Sequence, residues 1–375
     1  MTSLSLPHHP GPYGLLLDTQ EPLLACLSLL LFAVGFYLVW PGIALCYRQL
    51  RMSAGWLAAP VQRIQPAQPA RTPGEGASAA RPVHLWSAPD HPRALGSRLA
   101  RQVKLASRYL LHPALTRRWL DFWNLSATHR ALAVTAPRLL DKVYRPYQSL
   151  QLSRAERLAL LTSHYDFIIR KGLAPLVLRA ARQAVPVACF AGKSGDRYEV
   201  RLAAIDSLTL EGELALHLYH GDQHLFSTAF SVCAQENGWE LRVGCLQGPR
   251  GQHTRERVRH ATRDLFGLRP KALMIRLVRA LGVAHGCARV VLVSNAHRVA
   301  RHHCRREHVH ADYDAFWQEL GAARRSDGDY ELPCDEAVTD VNALPSRKRA
   351  EARQRLALTQ QAALAMRCAL VRPIH

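Results

Sequence analysis

The chain is short of acid. It holds 29 Asp and Glu against 49 Lys and Arg, and its net charge is +20. That balance disfavours cationic partners and favours anionic ones: nucleic acid, phosphorylated molecules or an anionic membrane face. It selects none of them. No helix-turn-helix, RNP or zinc-finger pattern occurs, so no specific nucleic-acid partner is expected. No Gly-x-Ser-x-Gly elbow, no P-loop and no His-Glu-x-x-His is present, and serine hydrolase, NTPase and zincin chemistry lose their signatures. None of the nine cysteines pairs in a CxxC, and Cys189, Cys233 and Cys245 sit in apolar stretches as small core residues. Reduced thiols follow. There is no internal repeat. Residues 1–22 lack Lys and Arg, the positive region that a secretory signal peptide needs, so none is expected.

Against these absences stands one long uncharged run. Residues 23–46, LLACLSLLLFAVGFYLVWPGIALC, carry no charge, and about 20 apolar residues span a hydrocarbon core. Tyr37, Trp40 and Tyr47 gather toward one end, where aromatic rings favour an interface. Asp18 and Glu21 precede the run; Arg48, Arg51 and Arg63 follow it. The expectation is a single-pass inner-membrane helix with the C-terminal bulk in the cytoplasm. Residues 1–22 are then a short leading segment and 47–95 an Ala/Pro-rich basic tether. Residues 48–137 hold 13 Lys/Arg against 3 Asp/Glu, which makes anionic lipid the expected partner.

Residues 96–185 read as a helical subdomain. One helix stops before Pro113 and the next before Pro137. A third starts at Ser153 with Glu156 three residues on, a capping box, and ends at Lys171-Gly172. After Pro186 the period changes to two. Turn signals at His220-Gly221-Asp222 and Glu236-Asn237-Gly238 divide an antiparallel meander of four or five strands. Then follow a helix over 254–265, the stretch FGLRPKALMIRLVRALGVAHGCARVVLVSN (266–295), a helix within DYDAFWQELG, the strand YELP and a basic helix over 346–370. Arg347, Lys348, Arg349, Arg353 and Arg355 crowd the start of that last helix, against its dipole, and so invite an anionic partner.

Antiparallel strands, then turn, helix, strand and helix, resemble the core order of the N-acetyltransferase (GNAT) superfamily over residues 198–333. The expected fold class is α+β: an antiparallel meander plus strand–helix–strand, a helical N-terminal subdomain and one transmembrane helix. The α/β core covers 186–335 and a basic tail 336–375. The glycine-rich turn of that superfamily is only partly present, in QGPRGQ (247–252) and FGLRPK (266–271). Trp317 stands where many members have a tyrosine.

The resemblance implies an acyl-CoA or another acyl carrier as cofactor, and a small-molecule acyl donor. Arg269 and Lys271, flanking Pro270 at a helix start, would hold its phosphates. Gln247, Gly248, Arg250 and Gly251 would bind near the acyl group. His164, Asn295 and Tyr313 are the acid–base candidates. Tyr165, Asp166, Tyr144, Arg145 and Tyr147, with His164, read either as lining the substrate side or as tyrosine and histidine packing, and packing is the commoner role. The run NAHRVARHHCRREHVHADY (295–313) holds five histidines and Cys304. Interleaved arginines and irregular spacing make it a solvated basic loop, and no metal site is expected.

Over the whole domain, HPALTRRWLDFW, KVYRPYQSL, HYDF, GCLQGPRG, GLRPKAL, VSNAHRV, YDAFWQELGA and YELP occur in order. They resemble the VirK/YbjX family of Gram-negative bacteria from about 96 to 370. That resemblance implies a setting in envelope homeostasis and tolerance of antimicrobial peptides, but no reaction. Two functions stay open: an acyl or aminoacyl transferase, and a non-catalytic module binding anionic lipid or a partner protein.

Overall fold

Helix boundaries follow local chemistry. α1 (Leu95–Leu111) ends just before Pro113, and α2 (Pro113–Asn124) begins on it. Proline suits a first helical position because its missing N–H would have no partner there. The sequence reads α2 and α3 (Ala127–Thr135) as one helix; the chain breaks it at Leu125-Ser126. α4 (Arg154–Arg170) carries the capping box in full. Ser153 Oγ accepts the Glu156 N–H and the Glu156 carboxylate accepts the Ser153 N–H at 2.7 Å. Ser153→Ala is expected to cost about 1 kcal/mol, read by urea unfolding. α5 (Ala174–Arg182) completes the N-terminal helices.

The structure is a computed structural model that describes residues 81–85, 87, 95–135, 139–204, 208, 210–236, 238–249, 251, 253–300, 311–336 and 341–371. The described residues all lie in one unit, Ala77–His375.

Five strands form the meander: β1 (Val185–Ala191), β2 (Arg197–Ala204), β3 (Leu214–His220), β4 (Gln223–Gln235) and β5 (Gly238–Gln247). The crossover α6 (Thr254–Asp264) and α7 (Pro270–His285) then returns the chain to β6 (Cys287–Leu292), parallel to β5. A parallel pair needs such a crossover. α8 (Tyr313–Glu319), the two-residue β7 (Ala323–Arg324) and β8 (Tyr330–Pro333) follow, and the long α9 (Ser346–Val371) closes the chain. The sheet runs β1-β2-β3-β4-β5-β6-β8-β7, and β5·β6 is its one parallel pair among the described residues.

α7 packs across β3 to β6, α4 on β4, α5 on β2, and α9 on β1 and α7. Phe167, Leu176, Leu202, Phe230, Leu241 and Leu281 meet in the core between helices and sheet. Trp119, Trp123 and Tyr165 pack edge to face and fasten α2 to α4. Cys245 is buried and Cys233 partly so, as small core residues would be, but Cys189 is exposed.

The membrane expectation is corrected. Among the described residues, no helix is long and apolar enough to cross a membrane. α7 is only 16 residues long, and the 26-residue α9 carries Arg347, Lys348, Arg349, Glu351, Arg353, Arg355 and Arg367. Charges at that density are too costly in hydrocarbon. Among the described residues the fold class is therefore mixed α+β around an eight-stranded sheet, with no transmembrane helix. The single-pass inner-membrane placement falls with it. Residues 23–46, on which that expectation rests, lie outside the described residues.

Candidate functional site

β6 leaves β5 before β5 ends. The last paired residues are Val243 and Leu292, with Val293 N–H still reaching Val243 O at 3.0 Å. Beyond that, the chain after β6 turns away. Ser294 N–H donates to Asp329 Oδ1 at 2.9 Å, and Asn295 N–H to Asp314 Oδ1 at 2.8 Å. The exposed edge of β5 is taken by a side chain. The Tyr313 hydroxyl donates to Leu246 O at 2.6 Å and accepts Leu246 N–H at 2.7 Å. One phenol thus satisfies both backbone groups of a residue that has lost its neighbouring strand. Burial, then the neighbouring Cys245, pushes that phenol well above its ordinary pKa. Arg298 covers the ring face at 3.7 Å.

The other sequence candidates have settled positions. Asn295 clasps the start of α8: its Oδ1 accepts Tyr313 N–H at 2.9 Å and its Nδ2 donates to Asp312 at 2.7 Å. Arg269 pairs with Glu319, and Lys271 lies over the Phe316 ring at 3.8 Å. Both cations at the α7 start therefore face α8. Trp317 is buried and donates from Nε1 to Val293 O at 2.8 Å, bracing α8 against the end of β6. Gly251 takes the left-handed φ of 97°. Arg250, Cys304, His302, His303, His308 and His310 lie outside the described residues.

Gln247 and Gly248 do come together. They line a cavity of about 670 Å³ between the end of α5, strands β2 to β4 and the turn after β5. Three further residues lining that cavity form a relay that the sequence reading missed. Ser227 Oγ lies 2.6 Å from His217 Nδ1 and 2.7 Å from His224 Nε2. A hydroxyl has one proton and two lone pairs, so it donates to one imidazole and accepts from the other. Burial, then the neighbouring His217, lowers the His224 pKa and so favours its neutral ring. Tyr219 packs edge to face on His224, and Arg257 lines the same cavity from α6. The signal was present as alternation: His217 and Ser227 are direct cross-strand partners on β3 and β4. It is visible only once that register is known.

A second polar cluster is wholly buried. Lys142 Nζ donates to Glu213 Oε1 at 2.6 Å and Tyr165 donates to Glu213 Oε2. Tyr147 and Ser231 share a hydrogen bond at 2.8 Å, and Ser231 Oγ accepts Glu213 N–H at 3.2 Å. His164 Nδ1 accepts Val232 N–H at 3.1 Å, at a point on β4 that β3 no longer reaches. His164, Tyr165 and Tyr147 are fully enclosed, so this cluster has no path to a substrate. Asp166 forms a surface pair with Arg170 at 2.8 Å. Glu211 is another group missed in the sequence: burial pushes it up to about 7, with Arg298 opposing.

The model of a family described as protein of unknown function (DUF535) matches residues 95–367. The chain belongs to that family. The VirK/YbjX resemblance agrees with this. The uncharacterized protein YbjX of Escherichia coli (strain K12) is 27% identical over 259 residues, 67% of this chain and 78% of that protein. An uncharacterized protein of Haemophilus influenzae is 24% identical over 161 residues, and the chain spans only 53% of its length. Among solved structures, a mutant of the cAMP-binding acyltransferase from Mycobacterium smegmatis aligns with 60% of this chain and 63% of that chain. The TM-score is 0.26 and the identity 10%. A likeness that slight says nothing of activity.

Proposed function

We propose that this member of the family is an acyltransferase whose acceptor binds in the cavity over β2 to β4. The observation that carries the reading is the His217–Ser227–His224 relay in that cavity, beside the end of β5. An unprotonated His224 takes the proton from an acceptor amine or hydroxyl. The acceptor nitrogen or oxygen bonds to the acyl carbon, the carbon–sulfur bond of a thioester carrier breaks, and the thiolate takes the proton back from the His224 imidazolium and leaves as the carrier's thiol. His217 and Ser227 hold the imidazole in place and share its charge. The resemblance implies that the carrier enters where the strand ends splay apart near Gln247 and Gly248, and Tyr313 occupies the groups of Leu246 beside that point. Carrier entry therefore requires Tyr313 to swing out. The strand order and the single parallel pair support the same reading.

That seal favours a second reading, a non-catalytic module that binds an anionic partner on its basic surface. The test separates the two. The purified chain is incubated with coenzyme A, acetyl-CoA and a long-chain acyl-CoA, and thermal stability and released thiol are followed. Tyr313→Phe, which loses both bonds to Leu246, is expected to bind the carrier several-fold tighter than the unaltered chain. His224→Ala is expected to keep the thermal stabilisation and to slow thioester loss by about 10²-fold or more. Absence of stabilisation by any of the three ligands at millimolar concentration, in both the unaltered chain and Tyr313→Phe, sinks the transferase reading and leaves the binding module.

A further inference from the structure

A separate cluster forms where the β1–β2 turn, the end of β3 and the end of α6 meet. Asp196 lies in the turn, His220 is the last residue of β3 and Asp264 the last of α6. One ligand-type atom from each lies within 4.8 Å of the other two. His220 Nε2 is 3.0 Å from Asp196 Oδ2. Asp264 is only 6% exposed. Its Oδ1 accepts Ser194 N–H at 2.7 Å, while its Oδ2 has no hydrogen-bond partner among the described residues. The buried Tyr198 hydroxyl stands beside that carboxylate and helps lower its pKa, but makes no hydrogen bond of ordinary length to it.

Three physical costs coincide on this carboxylate. A buried acceptor without a partner loses roughly 1–3 kcal/mol of solvation. A carboxylate on the last residue of an 11-residue helix sits at the negative end of its dipole. A second carboxylate, Asp196, stands next to it. The chain has nevertheless made room for Oδ2: a Cβ at Gly192 would meet it at 1.9 Å, so only glycine fits there. A cation between the three side chains relieves all three costs together.

We propose that Asp196, His220 and Asp264 bind a divalent transition-metal ion, of the Zn²⁺ or Mn²⁺ class. The two carboxylates neutralise the charge. The imidazole disfavours Mg²⁺ and Ca²⁺, which take all-oxygen shells. Ligand bonds of about 2.0–2.2 Å require the three side chains to draw together slightly. Asp196 is free to do so, because it sits half-exposed in a turn. Three protein ligands leave coordination positions open. Asp196 and His220 line a depression of about 510 Å³, together with His260 and Arg257. Arg257 lines the relay cavity too, so an anionic oxygen on the metal would have a guanidinium beside it. Neither the ion nor this site depends on the transferase reading.

The test uses the full chain, stripped with a chelator and then titrated separately with Mn²⁺ and Zn²⁺. Bound ions are counted by native mass spectrometry, and free Mn²⁺ by its electron paramagnetic resonance signal. Asp196→Asn, His220→Gln and Asp264→Asn are each expected to bind one ion fewer than the unaltered chain, or to bind that ion at least 100-fold more weakly. The difference between proteins is what counts, because other histidines of the chain can hold zinc. Asp264→Asn changes a buried group and is expected to cost stability, whereas Asp196→Asn alters only a half-exposed turn. Mn²⁺ is expected to raise the Tm of the unaltered chain and not that of Asp196→Asn. Equal stoichiometry and affinity in the unaltered chain and Asp196→Asn would overturn the site. So would an unaltered chain that binds neither ion.

Discussion

Lys142→Met is expected to lower stability by about 3–5 kcal/mol, and the Tm by on the order of 10 °C. The ammonium and the Glu213 carboxylate are both enclosed, with side-chain exposures of 2% and 0%. Burial pushes the Glu213 pKa up, but Lys142, then His164 and the hydrogen bonds, outweigh it, and the net direction is down. The carboxylate is thus held ionised by its partner. Removing the ammonium leaves a charge in the core that water cannot reach. The two tyrosines and Ser231 do not replace it, since one hydroxyl donates to Glu213 and the other bonds Ser231. The double variant Lys142→Met/Glu213→Leu is expected to recover most of the loss, because an apolar pair of similar volume carries no desolvation cost. Denaturant unfolding of both proteins and of the unaltered chain closes the cycle. A single variant as stable as the unaltered chain would show that the pair is not buried as described.

Acid is expected to cost the fold about 3 kcal/mol through His164 alone. Burial lowers its pKa from 6.5 to about 4, with Glu213 opposing and Lys142 adding to the shift. In the unfolded chain the imidazole binds a proton near pH 6.5; in the folded chain it stays neutral to about pH 4. Between those values the unfolded state holds more protons, so stability falls as pH falls. The contribution is complete above pH 6.5 and gone below about 4. At about 1.36 kcal/mol per unit, the shift gives the figure quoted. His164→Gln retains an acceptor for Val232 N–H and does not titrate. It is expected to flatten the stability profile over that window, measured by urea unfolding at successive pH values. A profile identical to that of the unaltered chain would rule His164 out as the source. The same burial removes His164 from the acid–base candidates, since no substrate reaches it.

The sequence by itself determined the elements whose chemistry is local. Ser153 and Glu156 cap α4 because their reach is three residues. Pro113 starts α2 because its ring permits nothing earlier in a helix. Gly221 and Gly238 turn the meander because both take positive φ, 56° and 133°. The family was legible in the same way, from short motifs in order. One local signal stayed ambiguous: HYDF reads as substrate-facing or as packing, and α4 turns its histidine and tyrosine into the core.

Tertiary structure alone decided the rest. Tyr313 seals the β5 edge because β6 turns away after Leu292, which no spacing in the chain records. Arg269 and Lys271 face α8 because Glu319 and Phe316 are brought to them from some fifty residues on. The relay exists because β3 and β4 pair in the register that sets His217 opposite Ser227. Asp196, His220 and Asp264 meet only after a hairpin and a crossover have folded. Caps and turns depend on a few neighbouring residues, and a sequence displays those. Charge pairs, relays and metal clusters depend on register and crossover, which the packing of the whole sheet selects.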